Sequence, residues 1–401
     1  MNKAPAVMHP RLDSAIDLLE SLIGFDTQSG NGNLALIDFI QDYLSQWGIQ
    51  GTLSGDIEGG KANLYATIGP SDRPGLCLSG HTDVVPVRGQ PWTVEPFRLT
   101  RQQGRLLGRG TADMKGYLAA MLASVPVFVS TCERLPIHLA FTYDEEVGCL
   151  GVPHLLAQLN HTGVKPLACI IGEPTSMQVA VAHKGKRAYR CCVHGLAGHS
   201  ALTHMGVNAV DFAAELAVRL RRIGQRLRQQ GPYDARFEPP YSTVHTGRLN
   251  GGIALNVIPD HAQLEFEIRN LPQDDVGVLL EEVRQFIDTE LLPEMRAGYS
   301  DSAIELEESE VYPELRDENA SGWLQALACQ ATEHTDRVTL SFGTEGGLFQ
   351  QVGIPTIVCG PGSIQQAHKA DEYLEVSQLA QCLGFLERLA AAFPAAAASR
   401  S

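Results

Sequence analysis

A histidine and an aspartate stand two residues apart in residues 79–86, which read SGHTDVVP. Where the backbone is extended, His81 and Asp83 point to the same side, because side chains i and i+2 of a strand share a face. The apolar residues 75–79 lead into this pair and predict a short buried strand. Open α/β sheets place their chemistry at the carboxyl ends of such strands, although a purely structural His–Asp pair gives the same pattern.

Four further segments bring chemically active side chains to the ends of apolar or glycine-rich stretches: Asp113, the adjacent Glu145 and Glu146, Glu173, and His368. Two of them have a plainer interpretation, since Asp113 also suits a helix cap and the acidic residues 144–146 a solvated loop. Three adjacent carboxylates beside a buried strand nevertheless repel one another unless a cation or protonation relieves them.

The elements that must position these side chains alternate along the chain. Strands are predicted at 62–68, 75–79, 137–143, 167–171 and 356–359, with helices at 11–28, 33–48, 114–128, 151–159 and 376–392. This order predicts an α/β fold with a mostly parallel sheet between helices. Parallel strands end at one edge, so the five segments should share a cleft.

Two imidazoles and several carboxylates in one cleft predict a metal site. Zn²⁺ accepts mixed nitrogen and oxygen ligands in catalytic centres. One carboxylate shared by two metals gives a pair about 3.5–4 Å apart. Asp83 could then orient the imidazole of His81 from outside the ligand set.

The pattern changes near Lys184, where strands and two long helices follow without the α/β alternation. We therefore expect a catalytic domain at 1–184 and 297–401, interrupted by an inserted α+β domain at 185–296.

Composition narrows the function classes. The 401 residues carry a formal net charge of −15, which disfavours binding to nucleic acid or to an anionic membrane. Residues 1–6 lack the apolar core of a signal peptide, so a cytoplasmic enzyme is expected. Nine scattered cysteines without a CxxC pair argue against a thiolate zinc site.

Taken together, the HTDxVP, GTADMKG, DEE and GEPT stretches resemble the dinuclear zinc amidohydrolases. That family includes acetylornithine deacetylase, succinyl-diaminopimelate desuccinylase, aminoacylase and glutamate carboxypeptidases. The resemblance covers residues 11–393 and is nearest the acetylornithine deacetylases at 170–176 (IIGEPTS), 182–185 (AHKG), 360–364 (GPGSI) and 371–375 (DEYLE). It implies a zinc-exopeptidase-like fold and hydrolysis of an N-acyl amino acid. The nearest such reaction converts N2-acetyl-L-ornithine to L-ornithine and acetate in arginine biosynthesis. N-acetylcitrulline, N-succinyl-diaminopimelate and dipeptides remain alternative substrates.

The resemblance also implies roles for the cleft residues. His81 and Glu173 would hold one zinc, and Glu146 and His368 the other. Asp113 would bridge the two, before a cis peptide bond to Met114. The general base would be Glu145, the support of His81 would be Asp83, and Co²⁺ would substitute for Zn²⁺.

For the inserted domain the resemblance implies a lid that mediates a homodimer. His199, in a GHS turn, would reach the partner's active site and stabilise the oxyanion. Asn256 and Arg269 would hold the substrate carboxylate, with Thr344 near the substrate. From the residues alone, a lone loop histidine such as His199 is more often solvated, and Arg269 is equally well a surface strand-end arginine. Arg109 and residues 186–187 are expected at the rim of the pocket.

Overall fold

The computed structural model describes residues 9–399, so the expectation about residues 1–6 lies outside the described residues. The helices of this range are α1 (Leu12–Ile23), α2 (Leu34–Ser45), α3 (Lys115–Ala123), α4 (Val125–Thr131), α5 (Val152–Thr162), α6 (Ala209–Gln230), α7 (Val276–Phe286), α8 (Leu292–Gly298), α9 (Gly322–Thr332), α10 (Gly346–Gln351) and α11 (Val376–Ala398). Short 3-10 turns lie at Ser200–Met205 and Asn319–Ser321, and a π-helical turn at Ile287–Leu291 joins α7 to α8.

The strands of the described range are β1 (Gly51–Ser54), β2 (Asn63–Ile68), β3 (Leu76–His81), β4 (Thr100–Gln102), β5 (Arg105–Leu107), β6 (Ile137–Thr142), β7 (Ala168–Pro174), β8 (Val179–His183), β9 (Gly185–His194), β10 (Gly198–His199), β11 (Thr243–Gly251), β12 (Val257–Ile258), β13 (His261–Asn270), β14 (Ala303–Tyr312), β15 (Arg337–Leu340), β16 (Thr356–Gly360) and β17 (Tyr373–Glu375). None of the helices in the described range is both long enough and apolar enough to cross a membrane.

Eight of these strands form one sheet in the order β1-β2-β6-β3-β7-β16-β8-β15. The central pairs β6–β3, β3–β7 and β7–β16 are parallel, whereas β1–β2, β2–β6 and β16–β8 are antiparallel. Every residue of β3, β6, β7 and β16 is buried. Their near-continuous apolar composition is typical of strands covered on both faces. The predicted α/β class with a mixed, helix-flanked sheet is confirmed, and the parallel pairs lie at the centre of that sheet.

The chain separates into two compact units. The first, which holds the large sheet, runs to Ala182 and continues through Leu315–Thr339 and from Thr344 onward. Its core packs α1, α3, α9 and α11 around the sheet with fully buried side chains such as Leu19, Leu78, Phe128 and Phe385. Each such side chain contributes about 1.5–3 kcal/mol when it leaves water.

The second unit comprises His183–Glu314 and Leu340–Gly343. Its antiparallel sheet has the order β11-β13-β9-β14. Alternate residues of β13 are buried, including Leu264 and Phe266, and they pack with Leu216 and Leu220 of α6. One face of this sheet is therefore the core of the unit.

The second boundary differs from the expected position between residues 296 and 297. The structure carries the inserted unit to Glu314, because β14 pairs along its length with β9. The sequence shows β14 as an acidic alternating segment, and only its pairing partner reveals which sheet it joins.

Candidate metal centre

His81 is the last residue of β3, and its side chain is buried. Nε2 lies 3.1 Å from Oδ1 of Asp113 and 3.5 Å from Oε1 of Glu173. Nδ1 lies 2.9 Å from the backbone oxygen of Asp83. Burial opposes protonation, but the Asp113 and Asp83 carboxylates raise the pKa of His81 well above its usual value.

Asp113 lies between the two histidines. Its Oδ1 faces His81, and its Oδ2 lies 3.3 Å from Nε2 of His368. The two imidazoles hold the pKa of Asp113 below its usual range in spite of its burial. The peptide bond between Asp113 and Met114 is cis. One carboxylate thus offers an oxygen to each half of the cluster.

Glu146 completes the second half. Its Oε2 lies 3.0 Å from Nε2 of His368, whose side chain is half exposed. Hydrogen bonds to Asp113 and Glu146 raise the pKa of His368 to about 10. Burial and the neighbouring Asp113 raise the pKa of Glu146 to about 7.

Glu173 and Glu145 are buried beside His81. Burial raises the pKa of each carboxyl group well above its usual value, and neighbouring carboxylates add to the shift. Oε1 of Glu173 is buried and accepts no hydrogen bond from the described residues. Asp144, the third member of the acidic run, is neutralised separately by Lys61 at 2.5 Å.

Asp83 contacts both the loop after β6 and His81. Oδ1 accepts from the backbone N–H of Glu145 at 3.0 Å, and Oδ2 from that of Glu146 at 3.2 Å. Oδ2 also accepts from Oγ of Ser29 at 2.9 Å. The imidazole of His81 is oriented by the Asp83 backbone oxygen, with the Asp83 carboxylate at 3.5 Å.

The donor set fits a pair of divalent cations. Two overlapping groups bring their ligand atoms within 4.8 Å of one another: His81, Asp113 and Glu146, and His81, Glu145 and Glu173. Oε1 of Glu173 is buried without a hydrogen bond, and the raised pKa values of Glu173 and Glu146 show that the carboxylates crowd one another in spite of the two imidazoles. A cation relieves that repulsion.

Four predicted site residues lie outside this cluster. His199, Asn256 and Arg269 belong to the second unit. His199 is exposed and accepts from the N–H of Ala201, Asn256 is exposed, and Arg269 pairs with Glu267 at 2.8 Å. Thr344 is buried in the first unit, where its Oγ1 accepts from the N–H of Gly346.

Arg109 does not lie at a rim. It is buried and forms an ion pair with Glu372 at 2.6 Å. Lys186 and Arg187 instead pair with acidic side chains of β14 in the second unit.

Sequence reasoning missed two buried carboxylates. Glu372 follows His368 by four residues and contacts the Asp113 loop. Glu345 stands next to Thr344, and burial raises its pKa to about 7. In the sequence, these two residues stood out only as acidic residues within segments that resemble motifs of the family.

The family model of the Peptidase family M20/M25/M40 matches residues 77–392. The chain belongs to this peptidase family. It is therefore a hydrolase of a metal-binding family.

The protein is similar to curated acetylornithine deacetylases. That of Pasteurella multocida (strain Pm70) is 31% identical over an alignment of 401 residues, which covers 98% of this chain and 99% of the relative. That of Photorhabdus laumondii is 33% identical over 380 residues, covering 92% and 94%. The predicted resemblance to acetylornithine deacetylases is confirmed.

Solved structures show the M20/M25/M40 fold. A metallo-carboxypeptidase of the M20 family from Sulfolobus solfataricus superposes with a TM-score of 0.75 at 16% identity, covering 97% of this chain and all of that one (100%). An aminopeptidase from Bacillus cereus gives a TM-score of 0.73 at 18% identity, covering 96% and 99%.

Proposed function

We propose that the protein removes the acetyl group from N2-acetyl-L-ornithine to give L-ornithine and acetate, a step of arginine biosynthesis. The observation that carries the proposal is Asp113, whose two oxygens lie 3.1 Å from His81 and 3.3 Å from His368. The curated acetylornithine deacetylases that resemble the chain over nearly its whole length support the choice of substrate.

The side chains that would hold two Zn²⁺ ions, or Co²⁺ in their place, share oxygen and imidazole donors: His81 and Glu173 for one ion, Glu146 and His368 for the other, and Asp113 for both. When bound, such ions polarise the acyl carbonyl and lower the pKa of a water.

Glu145 is the proposed general base. Its raised pKa suits a group that must accept a proton at its carboxylate and release it again. The proton comes from the attacking water and goes to the amine nitrogen of the leaving ornithine. Asp83 fixes the Glu145 and Glu146 backbone and thereby aims both side chains.

The substrate carboxylate is assigned to Arg269 and Asn256, because a guanidinium binds a carboxylate with two parallel hydrogen bonds. Thr344 is assigned to the substrate-proximal loop. His199 is assigned to the negative charge that develops on the carbonyl oxygen of the partner subunit's substrate.

This last assignment requires a homodimer. β11 pairs with β13 on one side, and no strand of the described residues pairs with its other side. Beside this edge, Leu249 is 42% exposed and Val218 of α6 is 39% exposed. An unpaired edge with exposed apolar side chains is a template for a second copy.

Turnover of a substrate panel tests the activity. Metal-loaded protein is assayed for free amine with N2-acetyl-L-ornithine, N-acetylcitrulline, N-succinyl-diaminopimelate and a dipeptide. We expect the largest kcat/KM for acetylornithine. Preference for another member of the panel would reassign the substrate, and no turnover of acetylornithine would exclude the proposed reaction.

The dimer is tested by light scattering of Val218→Glu, which should be a monomer. Val278→Glu is the matched control, because Val278 is 66% exposed on another helix of the same unit, α7, and does not line the surface that Val218 forms with β11. A dimeric Val218→Glu protein would remove this edge from the interface.

The role of His199 across the dimer is tested by complementation. Alone, His199→Ala should lower kcat by about 10²–10³, as loss of an oxyanion donor does. Co-expressed with Glu145→Ala under a second tag, it should yield a heterodimer with about half the wild-type activity, because one of its two centres is intact. A heterodimer no more active than either variant contradicts the assignment.

A further inference from the structure

Glu372 holds the loop that carries Asp113. Its side chain is 1% exposed. Oε2 accepts from Nη1 of Arg109 at 2.6 Å and from the N–H of Gly110 at 3.0 Å. Oε1 accepts from the N–H groups of Ala112 at 2.9 Å and Asp113 at 3.1 Å. One carboxylate thus fixes three backbone amides across residues 110–113.

The same network reaches His368 through Arg109. Nη2 of Arg109 donates to Oε1 of Gln90 at 2.6 Å, and Nε2 of Gln90 donates to the backbone oxygen of His368 at 3.1 Å. Trp92 closes this group, because its Nε1 donates to Oε1 of Gln90 and its ring centroid lies 5.1 Å from the Arg109 guanidinium carbon. The backbones of Asp113 and His368 are therefore linked through the side chains of Glu372, Arg109 and Gln90.

The segment after His368 requires such support. His368 and Asp371 have φ angles of +62° and +54°. This left-handed region is uncommon for residues other than glycine and persists where the surroundings fix it. The carboxylate of Asp371 accepts from the N–H and the Oγ1 of Thr93, each at 2.8 Å. The loop at residues 90–93 thus anchors the segment from which Glu372 projects.

We propose that Glu372 is a positioning residue for the whole metal centre, because it fixes the loop of Asp113 directly and holds the backbone of His368 through Arg109 and Gln90. The inference rests on the proposed metal-dependent function for its ligand assignments. Since Asp113 offers one oxygen to each half of the cluster, displacement of its loop lowers the affinity for both equivalents of bound metal. Displacement of His368 alone lowers the affinity for one equivalent.

Glu372→Gln removes the charge at nearly constant shape. The amide nitrogen that replaces one oxygen is itself a donor, so two of the four donors that face Glu372 lose their acceptor. It also leaves the Arg109 guanidinium buried without a counter-ion.

The chain offers a matched control on the adjoining strand β17. Glu375 pairs with Nε of Arg105 at 2.9 Å, but these side chains are 41% and 46% exposed. Glu375→Gln removes the same charge from a surface ion pair that contacts no part of the centre.

The experiment titrates metal-free wild-type protein, Glu372→Gln and Glu375→Gln with Co²⁺, followed by calorimetry and by visible absorption. We expect Glu372→Gln to weaken both equivalents by about 10–100-fold, as loss of outer contacts to a metal site does. Glu375→Gln should match wild type. Gln90→Leu removes the link from Arg109 to His368 but keeps the hydrogen bonds of Glu372 to residues 110–113, so it should weaken one equivalent.

Near-UV circular dichroism of each metal-free variant establishes that it is folded. Should Glu372→Gln not fold, Glu372→Asp, which keeps the charge but shortens the reach, is titrated in its place, with weakening of both equivalents again expected. A folded Glu372 variant with wild-type affinity at both equivalents, or a loss confined to one, would overturn the inference.

The titration contains no substrate, so it is independent of the panel assay. Wild-type protein that hydrolyses no acyl amino acid removes the proposed function, while a Glu372→Gln variant that loses both equivalents still supports the positioning role. Normal turnover by wild type with unchanged metal affinity in Glu372→Gln leaves the proposed function in place and removes the positioning role.

Discussion

Replacing Asp83 by asparagine should slow hydrolysis strongly, although Asp83 is not assigned as a metal ligand. Its carboxylate accepts from the backbone N–H of Glu145 and of Glu146, the proposed base and a proposed ligand. An asparagine presents one oxygen and one amide nitrogen, so only one of these two N–H groups keeps its acceptor. The Glu145–Glu146 backbone must then shift or leave a buried donor unpaired.

The size of the effect follows from the bonds lost. An orphaned buried N–H costs about 1–3 kcal/mol, and exchanging a charged for a neutral acceptor costs about 1 kcal/mol more. The sum of about 2–4 kcal/mol corresponds to about 30–900-fold in kcat/KM where it falls on the transition state. Any part borne by the ground state appears as a lower free energy of unfolding.

The assay therefore measures kcat/KM and the free energy of unfolding of Asp83→Asn together. Ser29→Ala is the graded control, because it removes one hydrogen bond to Asp83 and leaves the carboxylate in place. It should cost about 1 kcal/mol or less. The reasoning fails if Asp83→Asn stays within about threefold of wild type in kcat/KM and within about 0.5 kcal/mol in stability, the range of an ordinary surface substitution.

Three other outcomes are expected. Glu145→Ala should abolish turnover yet bind Co²⁺ with near wild-type stoichiometry; activity close to wild type would exclude the base role. Treatment with a chelator should remove activity, and Zn²⁺ or Co²⁺ should restore it, while activity that survives complete metal removal, measured by elemental analysis, argues against the metal mechanism. Burial lowers the pKa of His138 to about 4 from 6.5, so between these pH values the unfolded chain binds a proton that the folded chain excludes. The contribution of neutral His138 to the free energy of unfolding is complete above pH 6.5 and is lost as the pH falls towards 4, by about 2 kcal/mol between pH 7 and 5. Denaturant titrations should show a free energy of unfolding that depends less on pH in His138→Gln than in wild type. An unchanged pH dependence would contradict the lowered pKa.

The sequence predicted which side chains lie at the ends of the central strands, because a strand end can be recognised from neighbouring residues alone. An apolar run followed by a polar residue places His81 at the end of β3 and Glu173 near the end of β7. Parallel pairing of β3 with both β6 and β7 then brings those ends together. This convergence needed only the assumption of a parallel sheet.

Partners from distant parts of the chain could not be predicted in the same way. Arg109 was expected at the rim of the pocket. It is buried because Glu372, 263 residues away, supplies its counter-charge. The predicted end of the inserted unit differs from the observed one for a similar reason, since β14 joins that unit only through its pairing with β9.

The carboxylates of the first unit differ in what they accept, and this difference separates scaffold from centre. Asp83 and Glu372 each receive two or three backbone N–H groups, which fix them to the loops they order. Glu146 and Glu173 instead face imidazoles and other carboxylates, and burial raises the pKa of both. A carboxylate held by amides needs no metal ion, whereas one crowded by like charges is stabilised most when a metal ion binds. The hydrogen bonds around each acid therefore identify its role more directly than its position in a motif does. By this criterion Glu372 has the same role as Asp83, because both fix the backbone that carries the proposed ligands.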